Sequence, residues 1–277
     1  MAIHKREKLN RLSQILPEGL LVDAAWLEQQ GYSRSLRSQY VAAGWLFQPC
    51  RGVYRRSSTP LSWQQVYVSL HTLLGYPVSV GGLSALQQQG FAHYLPQSRE
   101  VIHLYTDQTL PSWLNKLPLE TVFVTHNRHR FLPATTINVE LHPHMAALEK
   151  LSSTSVQSAI ALRNESWSEW SWSIVMSRPE RAILELLDEL PQRQSFSNVD
   201  AVMEGLVSIS PTRMQSLLEQ TSSIKIKRLF FYFADRHQHR WRQQLKAELV
   251  ELGKGKRALV KGGKLDPVYQ ITVPEEF

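Results

Sequence analysis

Residues 32–56, YSRSLRSQYVAAGWLFQPCRGVYRR, constrain the fold more than any other stretch, because a helical period stops at a glycine and two β-prone runs follow at once. Ser33 is placed to cap a helix. At 100° per residue, Leu36, Tyr40 and Ala43 fall on one side, while Arg34, Arg37, Ser38 and Val41 gather on the other. Gly44 closes the helix. WLFQ and VYRR then read as short strands separated by PCRG, a tight hairpin with Gly52 at or near its turn.

Two helical patterns precede this stretch. In HKREKLNRLSQIL, Leu9, Leu12 and Leu16 form a stripe that Pro17 and Gly19 end. In LLVDAAWLEQQG, Asp23 is placed to cap a short helix ending at Gly31. Three helices and a hairpin in this order predict a winged helix-turn-helix over residues 1–60, with a boundary near RSSTPLS. The major groove, about 12 Å wide, admits one helix, and an arginine there can donate two parallel hydrogen bonds to guanine O6 and N7. Arg34, Arg37 and Ser38 are therefore expected in the groove, and Arg51, Arg55 and Arg56 at phosphates or the minor groove. A solvated helix followed by an ordinary turn accounts for the same pattern without a ligand.

Charge favours an anionic partner. Of the formal +7, residues 1–60 carry +5, residues 61–224 carry −4, residues 225–264 carry +9 and the last thirteen carry −3. Two basic blocks flanking a mildly acidic body point to nucleic acid or an acidic surface at both ends. In the second block, Ile226, Leu229, Phe230 and Phe233 are expected in the core, leaving Lys225, Lys227, Arg228, Arg236, Arg240 and Arg242 for the surface. LGKGKRALVKGGKLDP adds Lys254, Lys256, Arg257, Lys261 and Lys264 as a basic hairpin or loop.

Several classes are set aside. No apolar run approaches the roughly 18 residues a membrane span needs, and the basic start has no apolar segment of a secretory signal behind it. The lone Cys50 rules out an intrachain disulfide framework and fits a cytoplasmic setting. His126 and His129, and His142 and His144, come in pairs without HExxH, a cysteine pair or a carboxylate at a telling offset, so no metal and no cofactor are expected. The glycine-lysine loop lacks the P-loop pattern, and no Ser-His-Asp signature or carboxylate pair marks an enzyme.

Beyond residue 60, LSWQQVYVSLHTLLG and LSALQQQ read as helices, with 61–95 helical overall. EVIHLY, ETVFVT, TINVELH and WSWSIVMS read as strands, and ESWSEWSWS as tryptophans packing one sheet face. RPERAILELLDEL and segments near 198–207, 211–221 and 224–237 read as helices. The expected fold class is α+β, an N-terminal winged helix-turn-helix plus a larger C-terminal α+β domain over 61–277.

The series LLVDAAWLEQQGYSRSLRSQYVAAGWLFQPCRGVYRR resembles the N-terminal domain of AbiEi-type abortive-infection antitoxins, with Gly31, Ser33, Gly44, Leu46, Arg51, Gly52, Val53 and Tyr54 at the pattern positions. The likeness continues through VGGLSALQQQGFAHYLP and SRPERAILELLDELP to IKIKRLFFYFADRHQHRWRQQL and KGGKLDPVYQITVP, its most specific piece. The resemblance implies a transcriptional autorepressor that binds inverted repeats in its promoter as a monomer or weak dimer. It also implies a C-terminal domain that counteracts a co-encoded nucleotidyltransferase toxin, with or without direct contact. Two other readings compete: an interaction module that neutralises the toxin without touching DNA, and a nucleic-acid-targeting enzyme.

Overall fold

The computed structural model describes residues 2–92, 100–133, 161–167 and 172–277. The chain opens with α1 (Ala2–Ile15), β1 (Leu21–Asp23), α2 (Ala24–Gln29), α3 (Arg34–Ala42), β2 (Phe47–Cys50) and β3 (Val53–Arg55). Asp23 accepts from Trp26 N at 2.8 Å and Ser33 from Leu36 N at 3.4 Å, so both expected caps form. The sheet order is β1-β3-β2, all antiparallel. The chain follows the expected order of three helices and a hairpin, with one element added: Leu21–Asp23, just before the helix that Asp23 caps, forms a strand. Three residues are too few to show a period of two, and β1 exists because it pairs with β3.

Residues 61–92 are less helical than expected. The helix α4 (Trp63–Val68), capped by a reciprocal Ser62–Gln65 box, runs into a π-helical turn over Ser69–Leu73. Ser69 Oγ there accepts from Leu21 N at 2.9 Å, tying the turn to β1. A two-residue strand, β4 (Ser79–Val80), interrupts before α5 (Gly82–Gln88).

The strands β4, β5 (Val101–Thr106), β6 (Val122–Asn127), β7 (Leu162–Trp167) and β8 (Trp172–Ser177) form one mixed sheet in the order β6-β5-β4-β8-β7. β5–β6 and β4–β8 pair in parallel, the others antiparallel. The expected strand TINVELH and the histidines His142 and His144 lie outside the described residues, as does part of the tryptophan run.

Alternation along the strands divides the molecule into two cores. Val80, Ile102, Leu104, Phe123, Ile174 and Met176 face the N-terminal elements and join Leu12, Leu27, Tyr40 and Val53 in one hydrophobic cluster. Val175, from the opposite face, joins Leu86 and the long helical layer. That layer comprises α6 (Pro179–Asp188), α7 (Phe196–Gly205), α8 (Pro211–Gln220) and α9 (Ile224–His237). Pro179 and Pro211 stand in the first turns of their helices, where a missing N–H is harmless. A short antiparallel pair, β9 (Lys264–Leu265) with β10 (Thr272–Val273), ends the fold.

Candidate nucleic-acid interface

The outer face of α3 presents Arg34, Ser35, Ser38, Gln39 and Ala42, all exposed. Arg34, in the first turn, makes no ion pair among the described residues, and Ser38 Oγ donates to the Arg34 carbonyl at 3.1 Å. The face thus carries one cation near the positive end of the helix, followed by small polar groups and a glutamine. Gln39 was missed by charge counting; its position one turn beyond Ser35 is the signal, since Gln can pair with adenine N6 and N7. Trp45 is 53% exposed and Phe47 is also exposed, both at the junction between α3 and the hairpin.

Arg37 is corrected. It is 5% exposed, and its Nη1 donates to the Tyr32 carbonyl at 2.6 Å, with Glu28 3.9 Å away. Arg37 stands only about 60° round the helix from Arg34, and equally near the buried Tyr40, so the helical period alone does not decide its side.

The hairpin follows the same logic. Arg51 sits exposed at its two-residue turn beside Gly52, whose φ of 82° suits glycine. Arg55 is 3% exposed and gives Nη1 to the Thr59 carbonyl at 2.8 Å, so it is not available to a duplex. Arg56 caps α1, donating to the carbonyls of Ser13 and Leu16, both at 3.0 Å. Cys50 is half-buried, and burial pushes its thiol up, away from reactivity.

The C-terminal cations divide in two. Those on α9 and just after it are mostly engaged. Arg228, buried, donates to the carbonyls of Leu252, Gly253, Gly255 and Gln270 at 2.7 to 3.3 Å. Lys225 holds the carbonyls of Asp188 and Leu190, at 2.6 and 2.9 Å, and burial lowers its ammonium pKa. Lys227 is buried, Arg236 pairs with Asp200 at 3.1 Å and lies over the Phe277 ring, and Arg242 pairs with Asp235 at 2.6 Å. The expectation that these six serve the surface is corrected for Lys227 and Arg228, which are buried; Lys225 and Arg242 are half-buried, and Arg236 and Arg240 are exposed. By contrast Lys254, Lys256, Arg257, Lys261 and Lys264 are all exposed and in no ion pair among the described residues.

Beneath α6 lies a buried polar cluster. Glu185 accepts from Arg181 Nε at 2.7 Å, Gly82 N at 2.8 Å and Ser177 Oγ at 3.1 Å. The Tyr105 ring stacks on His126, 4.7 Å between centroids, and its hydroxyl is held well above the ordinary tyrosine range by burial and then by Glu185 and Glu189. Burial pushes His126 down to about 4, against the opposing pull of Glu189. His129 is apart from it, pairing with Asp107 at 2.7 Å.

A family of transcriptional regulators, the AbiEi antitoxin N-terminal domain, matches residues 5–97, so the class is that of a transcriptional regulator on an α+β scaffold. Its companion, described as transcriptional regulator, AbiEi antitoxin, type IV toxin–antitoxin system, matches residues 99–274. The chain belongs to the AbiEi antitoxin family of type IV toxin–antitoxin systems. In fold it is similar to the crystal structure of the RV2827C protein from Mycobacterium tuberculosis, with a TM-score of 0.54 at 17% identity over 95% of this chain and 88% of that one. No match was found among curated proteins. No helix among the described residues is long and apolar enough to cross a membrane.

Proposed function

We propose that the protein is an antitoxin that represses its own operon, with residues 1–60 reading operator DNA and residues 61–277 opposing a co-encoded nucleotidyltransferase toxin. The carrying observation is the outer face of α3: a row of polar and small side chains starting at unpaired Arg34, while Arg37 and Tyr40 anchor the opposite side. A groove reader needs that division, because the inner anchors fix the helix and leave the outer groups free to meet base edges. Arg51 at the hairpin turn supplies a second cation beside it, for a phosphate or the minor groove. The repressor acts as a monomer or weak dimer on inverted repeats, and the setting is cytoplasmic.

Fluorescence anisotropy with the promoter duplex and a scrambled one tests the DNA half. Binding that prefers the promoter, and loses that preference in Arg34→Ala, supports it; equal affinity for both duplexes in the native protein refutes it. Growth rescue on co-expression with the neighbouring toxin gene tests the other half. The exposed cations of 254–264 favour one second reading, in which that loop meets an acidic toxin surface. Co-purification of toxin that weakens in Lys254→Glu/Lys256→Glu would distinguish it from rescue without contact.

A further inference from the structure

Three side chains from three elements converge on the α6 side of the sheet. His103 comes from β5, His126 from β6 and Glu189 from the residue that caps the end of α6. His103 Nδ1 lies 2.9 Å from His126 Nε2 and 3.1 Å from Glu189 Oε1. The third edge, from His126 Nε2 to Glu189 Oε1, is 3.8 Å. Among the described residues, no other group of three His, Cys, Asp or Glu brings donor atoms together in this way.

The triangle has the dimensions of a metal site. Legs of about 2.0–2.2 Å from tetrahedral zinc to imidazole nitrogen and carboxylate oxygen place neighbouring donors roughly 3.3–3.6 Å apart. The three observed edges straddle that spacing. The carboxylate adds an independent observation. Glu189 is 4% exposed at its side chain, and its Oε1, 3.1 Å from His103 Nδ1, has no hydrogen-bond partner among the described residues. Its neighbour Glu185, in contrast, receives three donors. Burying a carboxylate without a compensating charge is unfavourable, and a bound cation supplies that charge.

We propose that His103 Nδ1, His126 Nε2 and Glu189 Oε1 bind a divalent transition-metal ion, zinc, with its fourth position open to water. Two imidazoles and one carboxylate select a borderline ion over calcium or magnesium, which take oxygen ligands. His126 supplies the way in, because it borders a cavity of about 460 Å³ that Thr106, Asp107, Thr125 and Asn127 also line. Bound there, the ion ties two parallel strands to the end of a helix from the opposite layer. Sequence alone hides the site, since Glu189 is 63 residues beyond His126 and only the fold joins them.

The test uses the full chain, stripped of metal and titrated with Zn²⁺ and with Co²⁺. One equivalent of zinc is expected, and cobalt should give the intense visible absorption of a four-coordinate ion. His126→Gln and Glu189→Gln should each weaken zinc binding by roughly 100-fold or more, at or beyond the loss from disturbing a mere supporting group. His237→Gln, whose ring pairs with Asp200 elsewhere, should bind as the native chain does. Should circular dichroism show the site variants unfolded, imidazole resonances of the native chain decide: zinc should shift the His103 and His126 rings among the ten histidines. No stoichiometric uptake, affinity untouched by both folded variants, or shifts confined to other rings such as His142 and His144 would overturn the assignment.

Discussion

Arg37 reaches backward along its own chain to hold Tyr32, its Nη1 2.6 Å from the carbonyl oxygen that the turn before α3 leaves unpaired. The bond fixes how α3 leaves α2, and hence which side chains α3 can show to a partner. Arg37→Ala should therefore lower stability by about 1.5–3 kcal/mol, the range for a hydrogen bond to a charged group. Urea denaturation measures it. A variant as stable as the native chain, yet deficient only in binding promoter DNA, would return Arg37 to the interface.

Arg34→Ala should do the reverse. Being exposed and unpaired, the side chain contributes within about 0.5 kcal/mol to stability. If it reads a guanine, its loss costs about 1–3 kcal/mol of discrimination on the operator. Gln39→Ala should lose a similar amount at an adenine. Comparing promoter and scrambled duplexes by anisotropy separates these base contacts from phosphate contacts, which fall equally on both.

Arg51→Ala should weaken binding to both duplexes and reduce the slope of log affinity against log salt by about 0.9, the loss of one neutralised phosphate. The measurement is a salt titration of the same complexes. An unchanged slope removes the hairpin turn from the interface.

Much of this was legible in the chain. Ser33, Asp23 and the hairpin turn at Gly52 carry local signals strong enough to survive folding, and they form as expected. The failures share a cause: side-chain direction near a boundary. Arg37 lies between Arg34 and Tyr40 on the helix, and its long stem let packing decide. Arg55 was open to a better reading, because a period of two puts it on the same side as buried Val53. The cations of α9 look like surface in a helical projection, but Arg228 and Lys225 meet carbonyls supplied by segments 24 to 42 residues distant. In β5, alternation did set His103 and Tyr105 opposite Ile102 and Leu104. What it could not supply was the helix end that descends on them.

Arg228→Ala should loosen the C-terminal segment selectively. Four carbonyls, those of Leu252, Gly253, Gly255 and Gln270, lose their shared donor, at a cost of about 2–3 kcal/mol. Hydrogen exchange should quicken across 252–273 while α3 keeps its native rates. Uniform acceleration over the whole chain would instead mean that this segment and the core unfold together.

Gly81→Ala should disrupt the cluster beneath α6. A Cβ at this position would overlap the Glu185 carboxylate and the Tyr105 ring, both held in place by packing. Overpacking of this kind costs typically 1–3 kcal/mol. Thermal unfolding measures the loss, and Gly90→Ala makes a useful contrast. That glycine has open space around it but a φ of 79°, so its penalty comes from the backbone.

The five-stranded sheet serves as a party wall between two rooms. Ile102 and Leu104 line one side with the residues under α3, and the helical layer leans on the other. The N-terminal elements and the sheet share one hydrophobic cluster, so heat should melt the regulator's two ends in a single step. A lesion in either room then diminishes both activities, and a purely DNA-blind or purely toxin-blind mutant must be sought among exposed side chains.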